Sequence, residues 1–113
     1  MCIRDSPKIA TKKVVDDVFE TVNDRKKLIK ILSIAKSAIR HNMAKDLPKI
    51  FVKTAIIWGK QDIVTPPDVG KEFNKLLPNS TLYWIDKCGH APMMEHPNKF
   101  NHLVNSWLVE NKL

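Results

Sequence analysis

The spacing of apolar positions changes once along the chain, near Leu47-Pro48, and that change divides it in two. Before it the period is helical. Val14, Val15, Val18, Phe19 and Val22 follow Thr11, a capping residue type, and predict a first helix. Asn23-Asp24 interrupts the stripe and re-caps it; Leu28, Ile31, Leu32, Ala35, Ala38 and Ile39 mark a second helix ending near Asn42. Leu47-Pro48 is a boundary because a residue before proline is pushed out of the α region. Beyond it, Thr54-Ala55-Ile56-Ile57-Trp58 is a continuous apolar run, as expected of a strand buried on both faces of a parallel sheet. Thr65-Pro66-Pro67-Asp68 predicts a helix start, with Thr65 as the cap, Pro66 in the first turn and Asp68 as a capping-box acid. Val69, Phe73, Leu76 and Leu77 give that helix an apolar face. Pro78-Asn79 then turns the chain into a second strand, Thr81-Leu82-Tyr83-Trp84-Ile85-Asp86. Pro97 opens a last helix, in which Phe100, Leu103, Val104, Trp107 and Leu108 keep one face apolar. The fold class is α/β: two parallel strands joined by a right-handed crossover helix, preceded by two helices.

Composition changes this picture little. With 113 residues the chain is at most one domain, and 43% hydrophobic residues exclude a disordered tail. No apolar run approaches the roughly 18 residues of a membrane span, so no membrane role is expected. Cys2 and Cys88 form no disulfide framework and point to a reducing compartment; with no signal peptide in sight, the expected location is cytoplasmic. The opening Met1-Cys2-Ile3-Arg4-Asp5-Ser6 differs in character from the rest and resembles an adapter-derived leader, so the true N-terminus is expected to be missing. The net charge of +7 raises the question of nucleic acid. Residues 1–50 hold twelve Lys/Arg against six Asp/Glu, and residues 51–113 seven against six. The basic positions Lys26, Lys27, Lys30, Lys36 and Arg40 suit the solvated side of a helix and lack interleaved aromatics, so no nucleic-acid partner is expected.

The candidate chemistry lies in the loops after the two strands. Parallel strands of one βαβ unit point the same way, so Asp62 and His90 emerge at the same sheet edge, where open α/β sheets bind ligands. An acid and a base in that chain order are two members of an acyl-transfer triad. The nucleophile is missing: no Gly-x-Ser-x-Gly occurs, and Gly59, Gly70 and Gly89 are the only glycines. Bland alternatives stand beside this reading. Asp62 could cap the helix at Thr65, although Asp68 is better placed for that, and His90 could be a half-buried histidine bonded to a carbonyl. Gly89 would permit a strained turn that presents a base. Cys88, adjacent to His90, fits a small packing residue better than a nucleophile. Cys88, His90, Glu95 and His96 are metal-ligand types, but Pro92 and Pro97 break the helix that a zinc motif needs, and no metal is expected. Met93 and Met94 could line an acyl pocket or the core. His41 and Asn42 fit a helix terminus or a substrate-facing rim.

From about Leu47 onward, Ile57-Trp58-Gly59-x-x-Asp62, Val64-Thr65-Pro66-Pro67, Leu77-Pro78-Asn79-Ser80, Cys88-Gly89-His90-Ala91-Pro92-Met93-Met94-Glu95 and Pro97-x-x-Phe100-Asn101 resemble the C-terminal third of an α/β-hydrolase-fold enzyme. The nearest branch includes carboxylesterases and the C–C bond hydrolases of aromatic ring-cleavage products. The resemblance implies lid-type helices over 11–46 and core over 47–113, after a non-native-looking leader or disordered stretch over 1–10. It implies hydrolysis of an ester or related acyl or C–C bond in a small-molecule substrate, with Asp62 as triad acid, His90 as general base, Met93 as a substrate contact, and no cofactor. The nucleophile and oxyanion donors would lie upstream. The chain alone is then expected to be inert, since loss of a triad nucleophile costs about 10⁶ in rate. The alternative is a non-catalytic binding protein of the same fold, with Asp62 and His90 kept as scaffold.

Overall fold

The computed structural model describes residues 10–113, so the leader-like residues 1–9 fall outside the described residues. The first two helices are capped as the sequence suggests. In α1 (Lys12–Asn23) the Thr11 hydroxyl accepts the Val14 N–H at 3.4 Å. Asp24 closes α1 and opens α2 (Arg25–Arg40): its N–H donates to Glu20 O, while its carboxylate accepts the N–H groups of Lys26 and Lys27 at 2.8 and 3.1 Å. A single residue thereby satisfies orphan groups of both helix ends and fixes the hairpin. The apolar stripes form, yet α1 buries no side chain, and Phe19 and Leu32 keep 69% and 52% of their surface exposed. Two short helices cannot cover each other's stripes completely.

His41 ends α2, and two 3₁₀ turns, Met43–Lys45 and Leu47–Lys49, follow. Leu47 does more than mark a boundary. It is buried at 4% exposure and forms the core with Ile56 and Leu77.

Strands β1 (Thr54–Gly59) and β2 (Ser80–Ile85) pair in parallel, with Thr54 opposite Ser80 and Gly59 opposite Ile85. Both differ by one residue from the sequence reading. The ladder continues through Gly59, and Asp86 leaves it to meet Lys60 Nζ at 2.7 Å. Helix α3 (Pro67–Leu76) connects the strands. Side chains alternate along β1, so Ile56 and Trp58 share one face, and Phe73 and Leu76 of α3 pack against it. Gly70 permits that approach, because a Cβ there would stand 2.9 Å from Trp58 Cδ2. Of β1, Ile56 and Gly59 are buried and the remaining positions are half-buried, so the two-face burial expected of this strand is only partly met in the chain. The short α4 (Pro92–Glu95) and the longer α5 (Pro97–Glu110) complete the chain. Among the described residues no helix is long and apolar enough to cross a membrane.

Candidate active site

The loops that leave β1 and β2 are stitched together by backbone. The Lys60 N–H donates to Ile85 O at 3.0 Å and the Gln61 N–H to Cys88 O at 2.9 Å, while Gln61 Oε1 accepts the Cys88 N–H at 3.0 Å. Gly59 lies so close beneath the second loop that a Cβ would come within 2.0 Å of Gly89 O. The sequence pointed to Gly89 as the special turn glycine. Among the described residues no glycine has positive φ; the turn out of β2 is made by Lys87 at φ 54°, and the indispensable glycine is Gly59.

This stitching brings Asp62 and His90 together. His90 Nδ1 lies 3.0 Å from Asp62 Oδ2, which fixes Nδ1 as the protonated, donating nitrogen beside a carboxylate. Asp62 is buried at 5% exposure, and its carboxylate is fully engaged. Oδ1 accepts the N–H groups of Val64 and Thr65 at 2.9 and 2.8 Å, and Oδ2 accepts the Thr65 hydroxyl at 2.7 Å in addition to His90. Burial raises the pKa of this carboxyl, but the hydrogen bonds from Thr65, His90 and Val64 together hold it below the ordinary carboxylate range. The pair is therefore a carboxylate beside an imidazole, with Nε2 left without a hydrogen-bond partner among the described residues. It opens into a crevice of about 140 Å³ lined by Ile57, Trp58, Gly59, Thr65, Pro92 and Met93. Met93 lies at the mouth with half of its surface exposed. A larger cavity of about 450 Å³, between the Met43 turn and α3, receives His41 and Asn42 and is separate from the pair. The ionisable pair faces the smaller crevice.

Three polar residues of the site escaped the sequence reading. Thr65 was expected to cap α3; the cap is Pro66, and the Thr65 hydroxyl turns to Asp62 and to His90 Nδ1, 3.1 Å away. Asp68 pairs with Lys71 and caps nothing. Asp62 Oδ1 accepting the Val64 N–H two residues on is an Asx turn, and an Asp at the head of this loop was the signal available. Gln61 clamps Cys88. Glu95 accepts the N–H of Gly89 at Oε2 (2.8 Å) and that of Ala91 at Oε1 (3.0 Å), holding both neighbours of His90. Its signal was a Glu four positions after Ala91, the cap residue of α4, close enough to reach back to the amides ahead of that helix. Cys88 is a packing residue at 1% exposure; burial, then the carboxylates of Glu95 and Asp62, push its thiol up to about 11. A thiol that is protonated at neutral pH is a poor nucleophile.

Two parallel strands delivering a carboxylate–imidazole pair to one sheet edge are the signature of a known architecture. A family model described as alpha/beta hydrolase fold matches residues 10–97, and the chain belongs to that family. Among its relatives is a 2-hydroxy-6-oxononadienedioate/2-hydroxy-6-oxononatrienedioate hydrolase of a Pseudomonas species, 33% identical over 92% of this chain and 38% of the relative. Another is monoacylglycerol lipase ABHD6 of Rattus norvegicus, 36% identical over 69% of this chain and 23% of that protein. Of solved structures, MGS-MChE2, an alpha/beta hydrolase enzyme from the metagenome of Mar Chica lagoon sediments, superimposes with a TM-score of 0.83 and 64% identity. It matches over 90% of this chain and 47% of its own. A serine hydrolase involved in carbazole degradation gives a TM-score of 0.68 with 30% identity, over 75% of this chain and 33% of its own. The chain thus spans less than half the length of the relatives it matches.

Proposed function

We propose that this chain supplies the acid and base of a nucleophile–His–Asp triad in a hydrolase that cleaves an ester or a related acyl or C–C bond of a small-molecule substrate. The observation that carries the proposal is the 3.0 Å contact between His90 Nδ1 and Asp62 Oδ2, with the other ring nitrogen unengaged at the crevice. In this reading Nε2 takes the proton of the nucleophile as it attacks, and the imidazolium so formed is stabilised by Asp62. The same nitrogen then protonates the leaving group. Met93, at the crevice mouth, touches the substrate, and residues 11–46 form part of a lid over it. The nucleophile and oxyanion donors belong to residues outside these 113, which accords with the missing Gly-x-Ser-x-Gly and with the share of the relatives that the chain spans. The relatives named above are a 2-hydroxy-6-oxononadienedioate/2-hydroxy-6-oxononatrienedioate hydrolase and a monoacylglycerol lipase, and both support this class of chemistry.

The test uses a longer protein carrying this segment together with a nucleophile elbow. It should hydrolyse a nitrophenyl ester and be inactivated by a serine-directed phosphonate. His90→Ala and Asp62→Asn should each lower kcat by orders of magnitude, on the order of 10⁴ for the Asn change through the wrong imidazole tautomer. Unchanged kcat in His90→Ala would overturn the assignment. The 113-residue chain alone should show no turnover beyond that of free imidazole.

A further inference from the structure

The atoms around the Asp62–His90 contact form a triangle rather than a pair. Thr65 Oγ1 is 2.7 Å from Asp62 Oδ2 and 3.1 Å from His90 Nδ1, and Oδ2 and Nδ1 are 3.0 Å apart. The hydroxyl can donate only to the carboxylate, since Nδ1 carries its own hydrogen when it faces Oδ2. Its lone pairs then point back toward that same N–H. We propose that Thr65 is a positioning residue of the dyad, whose hydroxyl locks the rotation of the Asp62 carboxylate and gives the Nδ1–H of His90 a second acceptor. The proposal rests on the triad reading above and adds a third side chain to it.

Thr65 is placed for this by every polar group it has. Its N–H is bound by Asp62 Oδ1 at 2.8 Å, and its carbonyl accepts the Trp58 indole N–H at 3.1 Å. Trp58 of β1 packs against Phe73 of α3, with ring centroids 6.3 Å apart. The backbone of Thr65 is thus anchored to the core from one side and to Asp62 from the other. With Oδ1 held by two backbone N–H groups, the carboxylate already has one fixed oxygen. The Thr65 hydroxyl fixes the second, so Oδ2 can neither swing away from the ring nor exchange with Oδ1. A hydroxyl that served only the helix start would bond an amide of α3 instead; Thr65 Oγ1 makes no such bond.

The experiment separates this role from simple stability. In the 113-residue chain labelled with nitrogen-15 at histidine, nuclear magnetic resonance reads which ring nitrogen of His90 carries the proton and how fast that proton exchanges. We expect the native chain to hold neutral His90 in the Nδ1–H form with a slowly exchanging, downfield proton. Thr65→Val keeps the shape and the backbone donors but removes the hydroxyl. It should speed exchange of that proton about tenfold, the worth of one hydrogen bond to a charged group, and shift part of the population to the Nε2–H form. Thr65→Ser, which restores the hydroxyl, should return the native signature. Thr65→Ala provides a second hydroxyl-free variant should the valine perturb folding. Native tautomer and exchange in either hydroxyl-free variant would overturn the proposal. These signals need no turnover, so the triad reading can fail in the activity test while the Thr65 result stands, and the reverse.

Discussion

In the α1–α2 hairpin the decisive contacts are between near neighbours. Thr11, Asp24 and the helix hydrogen bonds specify its shape, while Val15, Val18, Phe19, Val22, Ile31 and Leu32 stay largely exposed. In the βαβ unit the decisive contacts cross long stretches of chain: Gln61 to Cys88, Asp62 to His90, Leu47 to Ile56 and Leu77. Both halves have strong apolar patterning, yet only one of them buries it. Patterning and caps specify a local element, whereas a site with fixed geometry needs backbone from two elements pressed together until side chains have no choice of direction.

The largest expected effect sharpens that contrast at Gly59. A methyl group there would meet Gly89 O at 2.0 Å and Cys88 O at 2.5 Å, both backbone atoms of the loop that carries His90. Neither can rotate aside, so Gly59→Ala should cost roughly 3 kcal/mol or more, at the top of the range for overpacking, or prevent folding. Urea denaturation of the chain measures it. A loss below about 1 kcal/mol would mean that the two loops are not pressed together as described.

Next comes a matched pair of truncations. Ile56→Ala empties a site in the core beside Leu47 and Leu77 and should cost about 2–5 kcal/mol. Phe19→Ala, on the hairpin stripe at 69% exposure, should change stability by no more than about 0.5 kcal/mol. Equal losses would show that the hairpin stripe is covered in solution and would erase the distinction between the halves.

The contrast also governs what could be read from sequence. Both helices of the hairpin, the order of strand, helix, strand and helix, and the delivery of Asp62 and His90 to one edge were legible, because each rests on local periodicity or on the topology of parallel pairing. The polar surroundings of the pair were not. Thr65 next to two prolines carries a strong local capping signal that outweighs the nearby Asp62, and what decides between them is that His90, 28 positions on, holds the Asp62 carboxylate where the hydroxyl meets it. Glu95 was weighed only as a metal ligand, and its carboxylate instead binds the amides on both sides of His90. The special turn was placed at Gly89 by residue type, while the close approach that demands glycine comes from the neighbouring loop at Gly59.

A smaller effect follows from the Asp62 carboxyl. Its pKa lies lower in the folded chain than in the unfolded one, so its ionised form favours folding. That contribution is fully present above the ordinary carboxylate value of about 3.9 and fades as pH falls through the lowered folded value. Between neutral pH and about pH 5, the Asp62 contribution to stability should therefore stay constant. Below about pH 4, native and Asp62→Asn chains should converge, because the native chain alone loses this term. Curves that stay parallel down to the acid limit would show that Asp62 titrates normally and that its four hydrogen bonds are weaker than the distances indicate.

The smallest effect belongs to the hairpin surface. Lys12 Nζ and Asp16 Oδ2 lie 2.6 Å apart on adjacent turns of α1, with 89% and 59% of their side chains exposed. A short distance alone does not make such a pair strong. Water screens it, and two mobile side chains must be held still, so an exposed pair of this spacing is worth about 0.3–0.5 kcal/mol. The order is also the less favourable one, with the cation toward the helix N-terminus, where the macrodipole prefers an anion. Lys12→Ala should therefore cost at most that amount. The difference should vanish in about 1 M salt, where the Debye length falls to roughly 3 Å. If a double-mutant cycle with Asp16→Ala gave a coupling above about 1 kcal/mol that survived high salt, the pair would have to be shielded from solvent by something lying over the exposed stripe of α1. The hairpin would then resemble the βαβ unit after all, a patterned surface held by contacts from elsewhere.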